Sequence, residues 1–112
     1  MAEAYIGKRQ YPRVKTPVYY NIPGLFRTKR KIVNISLGGI RIHTRDYLEE
    51  RNLFALEIFL PNGLCLAVNT QVRWENVLPP GANGIYDVGL EFINLSLKIK
   101  NHLSLLVKRA SS

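Results

Sequence analysis

Acidic residues are scarce in this chain. Its 112 residues hold 8 Asp and Glu against 16 Lys and Arg, a formal charge of +8 at neutral pH. Such an imbalance suits an anionic partner: a nucleotide, a nucleic acid, or the acidic face of a protein or membrane. Cysteine is nearly absent. Cys65 alone excludes an intramolecular disulfide, and no ligand cluster exists for a structural zinc. The two histidines, His43 and His102, stand far apart without metal-ligand spacing, so no metal site is expected. No stretch approaches the roughly 18 apolar residues needed to cross a bilayer. The first residues, Met1 to Arg9, lack the apolar run of a secretory signal, and the expectation is a cytoplasmic domain of bacterial type. No carboxylate pair and no Ser/His/Asp set suggests hydrolysis, so no catalytic residue is assigned and the chain is not read as an enzyme. Internal repeats and low-complexity tracts are also missing. What remains, 46% hydrophobic and 21% charged residues, is the composition of one ordinary globular domain.

From Val14 onward, apolar residues recur with period two, the mark of half-buried strands. Val14, Thr16, Val18 and Tyr20 alternate with Lys15, Pro17, Tyr19 and Asn21, and Asn21-Ile22-Pro23-Gly24 turns the chain. Leu25 to Ser36 reads as a second strand, basic early (Arg27, Lys29, Arg30, Lys31) and apolar late; the basic run is read as a solvated strand edge. Leu37-Gly38-Gly39 leads into a short third strand, Ile40 to Thr44, and the charged stretch Arg45 to Asn52 is expected to form one helical turn. Leu53 to Leu60 reads as a buried strand, followed by a Pro61-Asn62-Gly63 hairpin turn. In the next strand Leu64, Leu66, Val68, Thr70, Val72 and Trp74 share one face. After the loop from Pro79 to Gly84, Tyr86, Val88, Leu90 and Phe92 share another. The period then lengthens: Ile99, Leu103, Leu106 and Val107 fall on one side of a helix, and Lys108 and Arg109 complement its dipole. The prediction is a mostly β fold, a six-stranded antiparallel barrel with a C-terminal α-helix covering its mouth. Residues 1–12 read as a loose N-terminal arm and residues 13–112 as a single barrel domain.

Two short patterns point to chemistry. Arg9-Gln10-Tyr11-Pro12-Arg13 holds two arginines around a stiffening proline, and Asn34-Ile35-Ser36-Leu37-Gly38-Gly39 places an amide, a hydroxyl and two glycines at a strand-to-strand turn. Guanidinium forks match phosphates and the Hoogsteen edge of guanine. An Asn/Ser pair can hydrogen-bond a purine edge, and glycine lets a ligand or backbone come close. Together these residues suit a small, planar, doubly anionic ligand. Taken singly they also fit plainer roles: Arg9 and Arg13 a solvated basic arm, and Asn34, Ser36 and Gly39 ordinary turn chemistry. Trp74 fits the core by its alternation with Val72 and Val68, or a stacking platform. Arg73, on the opposite face, fits a surface charge or a phosphate contact.

In the order of these elements the chain resembles the PilZ domain family across residues 8–109. The family's Arg-x-x-x-Arg motif appears as Arg9 and Arg13, and its Asp/Asn-x-Ser-x-x-Gly motif as Asn34, Ser36 and Gly39. Val72-Arg73-Trp74 and Val88-Gly89-Leu90-Glu91-Phe92 are similar to its closing strands. The resemblance implies a six-stranded barrel that binds the second messenger cyclic di-GMP, needs no further cofactor and performs no catalysis. It implies ligand contacts from Arg9, Arg13, Asn34, Ser36, Gly38 and Gly39, to which Arg73 and Trp74 are added as candidates. It also implies that the residue before the first arginine, here Lys8, influences whether one ligand or a stacked pair binds. Asn34 stands where the family often has aspartate; an amide oxygen accepts from guanine without the charge, so somewhat weaker binding is expected. The arm is expected to order over the nucleotide and signal to an unidentified downstream protein, in motility, pilus or exopolysaccharide control. Two alternatives are a PilZ-like interaction subunit that binds no nucleotide and a small-barrel nucleic-acid binder. The latter ranks last because no RNP-like aromatic pair lies on adjacent strands.

Overall fold

A kinked strand closes this fold. In the computed structural model, which describes residues 17–25, 28–82 and 84–111, seven strands form one antiparallel sheet. They are β1 (Tyr19–Asn21), β2 (Arg30–Lys31), β3 (Asn34–Ile35), β4 (Gly39–Thr44), β5 (Leu53–Phe59), β6 (Cys65–Val77) and β7 (Tyr86–Ile93), and a helix, α1 (Leu97–Ser111), follows. The spatial order is β2-β1-β5-β6-β7-β4-β3, so β2 and β3 occupy opposite ends of the sheet. Only Ile32 and Val33 separate them in the chain. The Ile32 amide donates to the Val18 carbonyl at 3.0 Å, and the Val33 amide donates to the Arg41 carbonyl at 2.8 Å, on the other side. One bent segment thus serves both edges, and the sheet curls on itself. The predicted second strand, Leu25 to Ser36, is therefore corrected to two short strands; counted as one bent strand, it restores the six expected.

The interior follows the alternation. Ile40, Ile42 and Thr44 on β4, Leu56 and Ile58 on β5, Leu66, Val68, Thr70 and Val72 on β6, and Val88, Leu90 and Phe92 on β7 point inward and are buried. β5 buries one face only, since Leu53 is largely exposed, and so is half-buried rather than buried throughout. Leu103 and Val107 of α1 join the same core, with Ile99 and Leu106 packed against it, which is the face the 3.6-residue period selected. The Ser96 hydroxyl accepts from the Ile99 amide at 3.2 Å and caps the helix start. Because Phe92 donates to the Gly38 carbonyl at 2.9 Å, the helix departs from the end of the barrel that carries the β3–β4 turn.

Two further expectations are corrected. Arg45 to Asn52 forms no helical turn: Leu48 is buried, its amide donates to Glu75 Oε2 at 3.2 Å, and Arg51 takes a left-handed φ of 71° before the chain enters β5. The basic run is not uniformly solvated. Arg30 donates to Thr44 Oγ1 at 3.3 Å and pairs with Asp46 at 3.2 Å, tying β2 to the segment after β4. Burial beside this cluster pushes the Tyr20 hydroxyl up to about 12, with Arg30 opposing the shift in part. The arm expected over residues 1–12, and the start of the first strand from Val14 to Thr16, lie outside the described residues.

Candidate functional site

Register turns a linear motif into a surface. Asn34 of β3 pairs with Arg41 of β4, Arg41 with Gly89 of β7, and Gly89 with Trp74 of β6. The inward neighbours Ile35, Ile40, Leu90 and Val72 are buried in the core, so this row lies on the outer face. Asn34 is itself nearly buried there, at 8% exposure.

Trp74 reaches this face by a β-bulge. The strict alternation along β6 predicts it beside Val72 in the core. Instead the register shifts between Val72 and Trp74, leaving Arg73 as the extra residue. Both Arg73 and Trp74 then sit outside. Arg73 pairs loosely with Glu91 at 3.4 Å, both side chains half exposed, a contact worth little energetically. The indole lies directly over Gly89: a Cβ built on Gly89 would fall 2.3 Å from Trp74 Cε2 and Nε1. Glycine at this position is the seat of the ring. The core placement expected for Trp74 is thus corrected, and its other candidate role, an aromatic platform on the surface, has the geometry it needs.

Arg41, absent from the sequence-level candidates, is the best-fixed group in the row. Its Nε donates to Asp87 Oδ1 and its Nη2 to Asp87 Oδ2, both at 2.9 Å, a bidentate fork that holds the guanidinium plane and raises its pKa further. Its Nη1 donors remain for a ligand. His43 Nε2 stands 3.5 Å from the same Asp87 oxygen. Asp87 and Arg41 lie on strands far apart in sequence, so nothing local signals their pairing. Gly89 did carry a signal: a lone glycine inside a strand marks a bulge or a close approach.

The β3–β4 turn explains its own residues. The Ser36 hydroxyl oxygen accepts from the Gly38 amide at 3.1 Å, and the Ser36 amide donates to the Gly39 carbonyl at 2.9 Å. The hydroxyl keeps its own proton to donate. Gly39 is required by packing rather than by a left-handed φ, because a Cβ there would meet the Leu90 carbonyl oxygen at 2.0 Å. The structure therefore brings Asn34, Ser36, Gly38 and Gly39 to one edge of the face, with Arg73 and Trp74 across two strands. Lys8, Arg9 and Arg13 lie outside the described residues. Chemically the face offers an amide, a hydroxyl, a fixed guanidinium and an aromatic plane. Among the described residues no group of three or more His, Cys, Asp or Glu could hold a metal, and no helix is long and apolar enough to cross a membrane.

Comparison with known proteins follows the same lines. The model of the PilZ domain matches residues 7–109. Among solved structures, the PilZ domain of YcgR from Escherichia coli, determined with c-di-GMP, superposes with a TM-score of 0.68 at 20% identity, covering 94% of this chain and 92% of that one. The Bacillus subtilis inhibitor of motility, MotI/DgrA, gives 0.76 at 20% identity over 92% of this chain and 51% of its own. The K. pneumonia MrkH–c-di-GMP complex gives 0.73 at 17% identity over 90% and 51%. The chain thus spans about half the length of the latter two, and at these identities the likeness establishes the fold. No curated protein matches the chain.

Proposed function

The chain belongs to the PilZ domain family, and we propose that it is a cytoplasmic, non-catalytic receptor for cyclic di-GMP that passes its signal to a second protein in motility, pilus or exopolysaccharide control. The observation that carries this is the outer row Asn34–Arg41–Gly89–Trp74, where motif residues and an aromatic plane meet on one face. Cyclic di-GMP has two guanines and two phosphates in a compact ring, hence a charge of about −2. One guanine stacks on Trp74, a contact worth about 1–3 kcal/mol per base. The Asn34 amide oxygen accepts from a guanine N–H, and the Ser36 hydroxyl donates its remaining proton to a base or phosphate oxygen.

Arg9 and Arg13, which lie outside the described residues, supply further positive charge in this scheme, binding phosphate or the O6/N7 edge of guanine, and Lys8 adds to the field that decides how many ligands are taken up. Arg41 supplies the fixed charge. Because Asp87 already orients it, its hydrogen bond to a phosphate costs little side-chain entropy. Gly38 and Gly39 keep the turn low beside the ligand. In this proposal ligand binding changes the conformation of residues 1–12 and with it the surface presented to the partner, which is read out as a population shift. No cofactor beyond the ligand enters this scheme.

The test is calorimetric titration of the full chain with cyclic di-GMP, GTP and GMP. Saturable binding of cyclic di-GMP in the micromolar range or tighter, with both mononucleotides far weaker, is expected. No heat at about 100 μM ligand, where a Kd of 1 μM would saturate, would remove the proposal.

A further inference from the structure

We infer that the groove between α1 and the β5–β6 turn is a docking site for an acidic, amphipathic segment of a partner protein. It goes beyond the ligand site and gives the proposed output a place. The groove encloses about 350 Å³ between Leu60, Pro61 and Asn62 on one side and His102, Leu105, Leu106 and Arg109 on the other. That volume is at the low end of natural pockets, about 300–1,000 Å³, and suits one or two apolar side chains of a peptide. The helix residues follow the spacing i, i+3, i+4 and i+7, so they form one continuous stripe along α1. Leu60 is buried and Leu106 half-buried, forming the floor, while Leu105 is 54% exposed in the middle of the stripe.

Charge selects the occupant. From Phe92 to Ser112 the chain contains no Asp or Glu, whereas Arg109 lines the groove and Lys98, four residues before His102, continues its stripe, with Lys108 at the flank. The opposite lip, from Leu60 to Leu64, is uncharged. An apolar floor with a cationic rim on one side matches a helix or strand that presents leucine or phenylalanine flanked by carboxylates. A membrane surface fits less well, because the apolar residues line a recess instead of projecting. A polynucleotide would set its phosphates over leucine and proline. The site lies toward the barrel end that holds the β3–β4 turn, the end from which α1 departs.

The test uses a fluorescent amphipathic peptide of about four helical turns, with leucines on one face and glutamates beside them, followed by anisotropy. Its counterpart has every glutamate replaced by lysine, and a third arm uses vesicles containing phosphatidylglycerol. Binding of the acidic peptide at least tenfold tighter than its lysine counterpart is expected, with loss of at least tenfold in Leu105→Glu and in Lys98→Glu/Arg109→Glu. Leu105 is exposed, so an unchanged melting temperature is expected, and calorimetry with cyclic di-GMP on the same variant should match the parent. Equal binding of both peptides, no effect of Leu105→Glu, or recruitment to vesicles in preference to the peptide would overturn the inference. Absence of cyclic di-GMP binding with normal peptide binding would sink only the receptor proposal.

Discussion

Gly89→Ala removes no functional group, yet it should disable the ligand face by displacing Trp74. The added Cβ would lie 2.3 Å from Cε2 and Nε1 and 2.8 Å from Cζ2 of the indole. Non-bonded carbons settle at about 3.5–4.0 Å, so the ring must retreat by more than an ångström. The backbones cannot part instead, because β6 and β7 are paired along their length. Trp74 is partly exposed and can swing outward. Losing the indole's contact costs about 1–2 kcal/mol of packing, and replacing a strand glycine returns about 0.5–1 kcal/mol. Net stability should therefore change by no more than about 1 kcal/mol, a few degrees in melting temperature. Binding should suffer more. A stacked base contributes about 1–3 kcal/mol, so the affinity for cyclic di-GMP should fall about tenfold. Trp74 is the chain's one tryptophan, so its emission should shift to the red in Gly89→Ala. Calorimetry and emission spectra together decide the case. In a Trp74→Ala background the glycine substitution should have no further effect on affinity. Parental affinity in Gly89→Ala despite a displaced ring would refute stacking; an unmoved ring would refute the packing itself.

Arg9→Ala and Arg13→Ala should each weaken cyclic di-GMP binding at least tenfold, since a charge-assisted hydrogen bond is worth about 1.5–3 kcal/mol, while thermal melts stay at the parental value. Asn34→Asp should bind equally well or more tightly, by up to about 1–2 kcal/mol, because a carboxylate accepts from two guanine donors and Arg41 beside it offsets its desolvation; weaker binding at unchanged melting temperature would show that the amide N–H is what the ligand uses. Tyr20 gives a pH prediction: its hydroxyl titrates at 10.0 in the unfolded chain and near 12 when folded. The folded state holds the proton more tightly, so this contribution is intact below pH 10 and lost as pH rises toward 12, at most about 2–3 kcal/mol. Denaturant titrations across that window should show the loss, and Tyr20→Phe should abolish this part of the slope.

The sequence discloses some of this plainly and hides the rest for physical reasons. Period-two patterning locates β4, β6, β7 and the inward faces of Ile40, Ile42, Val88 and Leu90, because one side of each strand must be apolar. The helix face of Leu103 and Val107 is equally open to the eye. The kink at Ile32–Val33 is not, since neither glycine nor proline marks it and only the change of hydrogen-bond partner creates it. The bulge at Arg73 is hidden for the same reason: Val72 and Trp74 continue the alternation in sequence while the ladder shifts beneath them. The fork between Arg41 and Asp87 depends on a register between distant strands, which no local pattern contains. Asn34, Ser36 and Gly39 were legible as a motif. That Gly39 accommodates the Leu90 carbonyl, and Gly89 the indole of Trp74, became visible only with the neighbours in place.

The most direct measurement of the central claim is a ¹H–¹⁵N NMR titration of the full chain with cyclic di-GMP, following the Trp74 indole N–H together with the amides of Asn34, Arg41 and Gly89. Saturable shifts concentrated on that row and on the β3–β4 turn are predicted. Saturation of the ligand with the row unmoved, and with the shifts gathered instead around Arg30, Lys31 and Arg45, would contradict the proposed binding face.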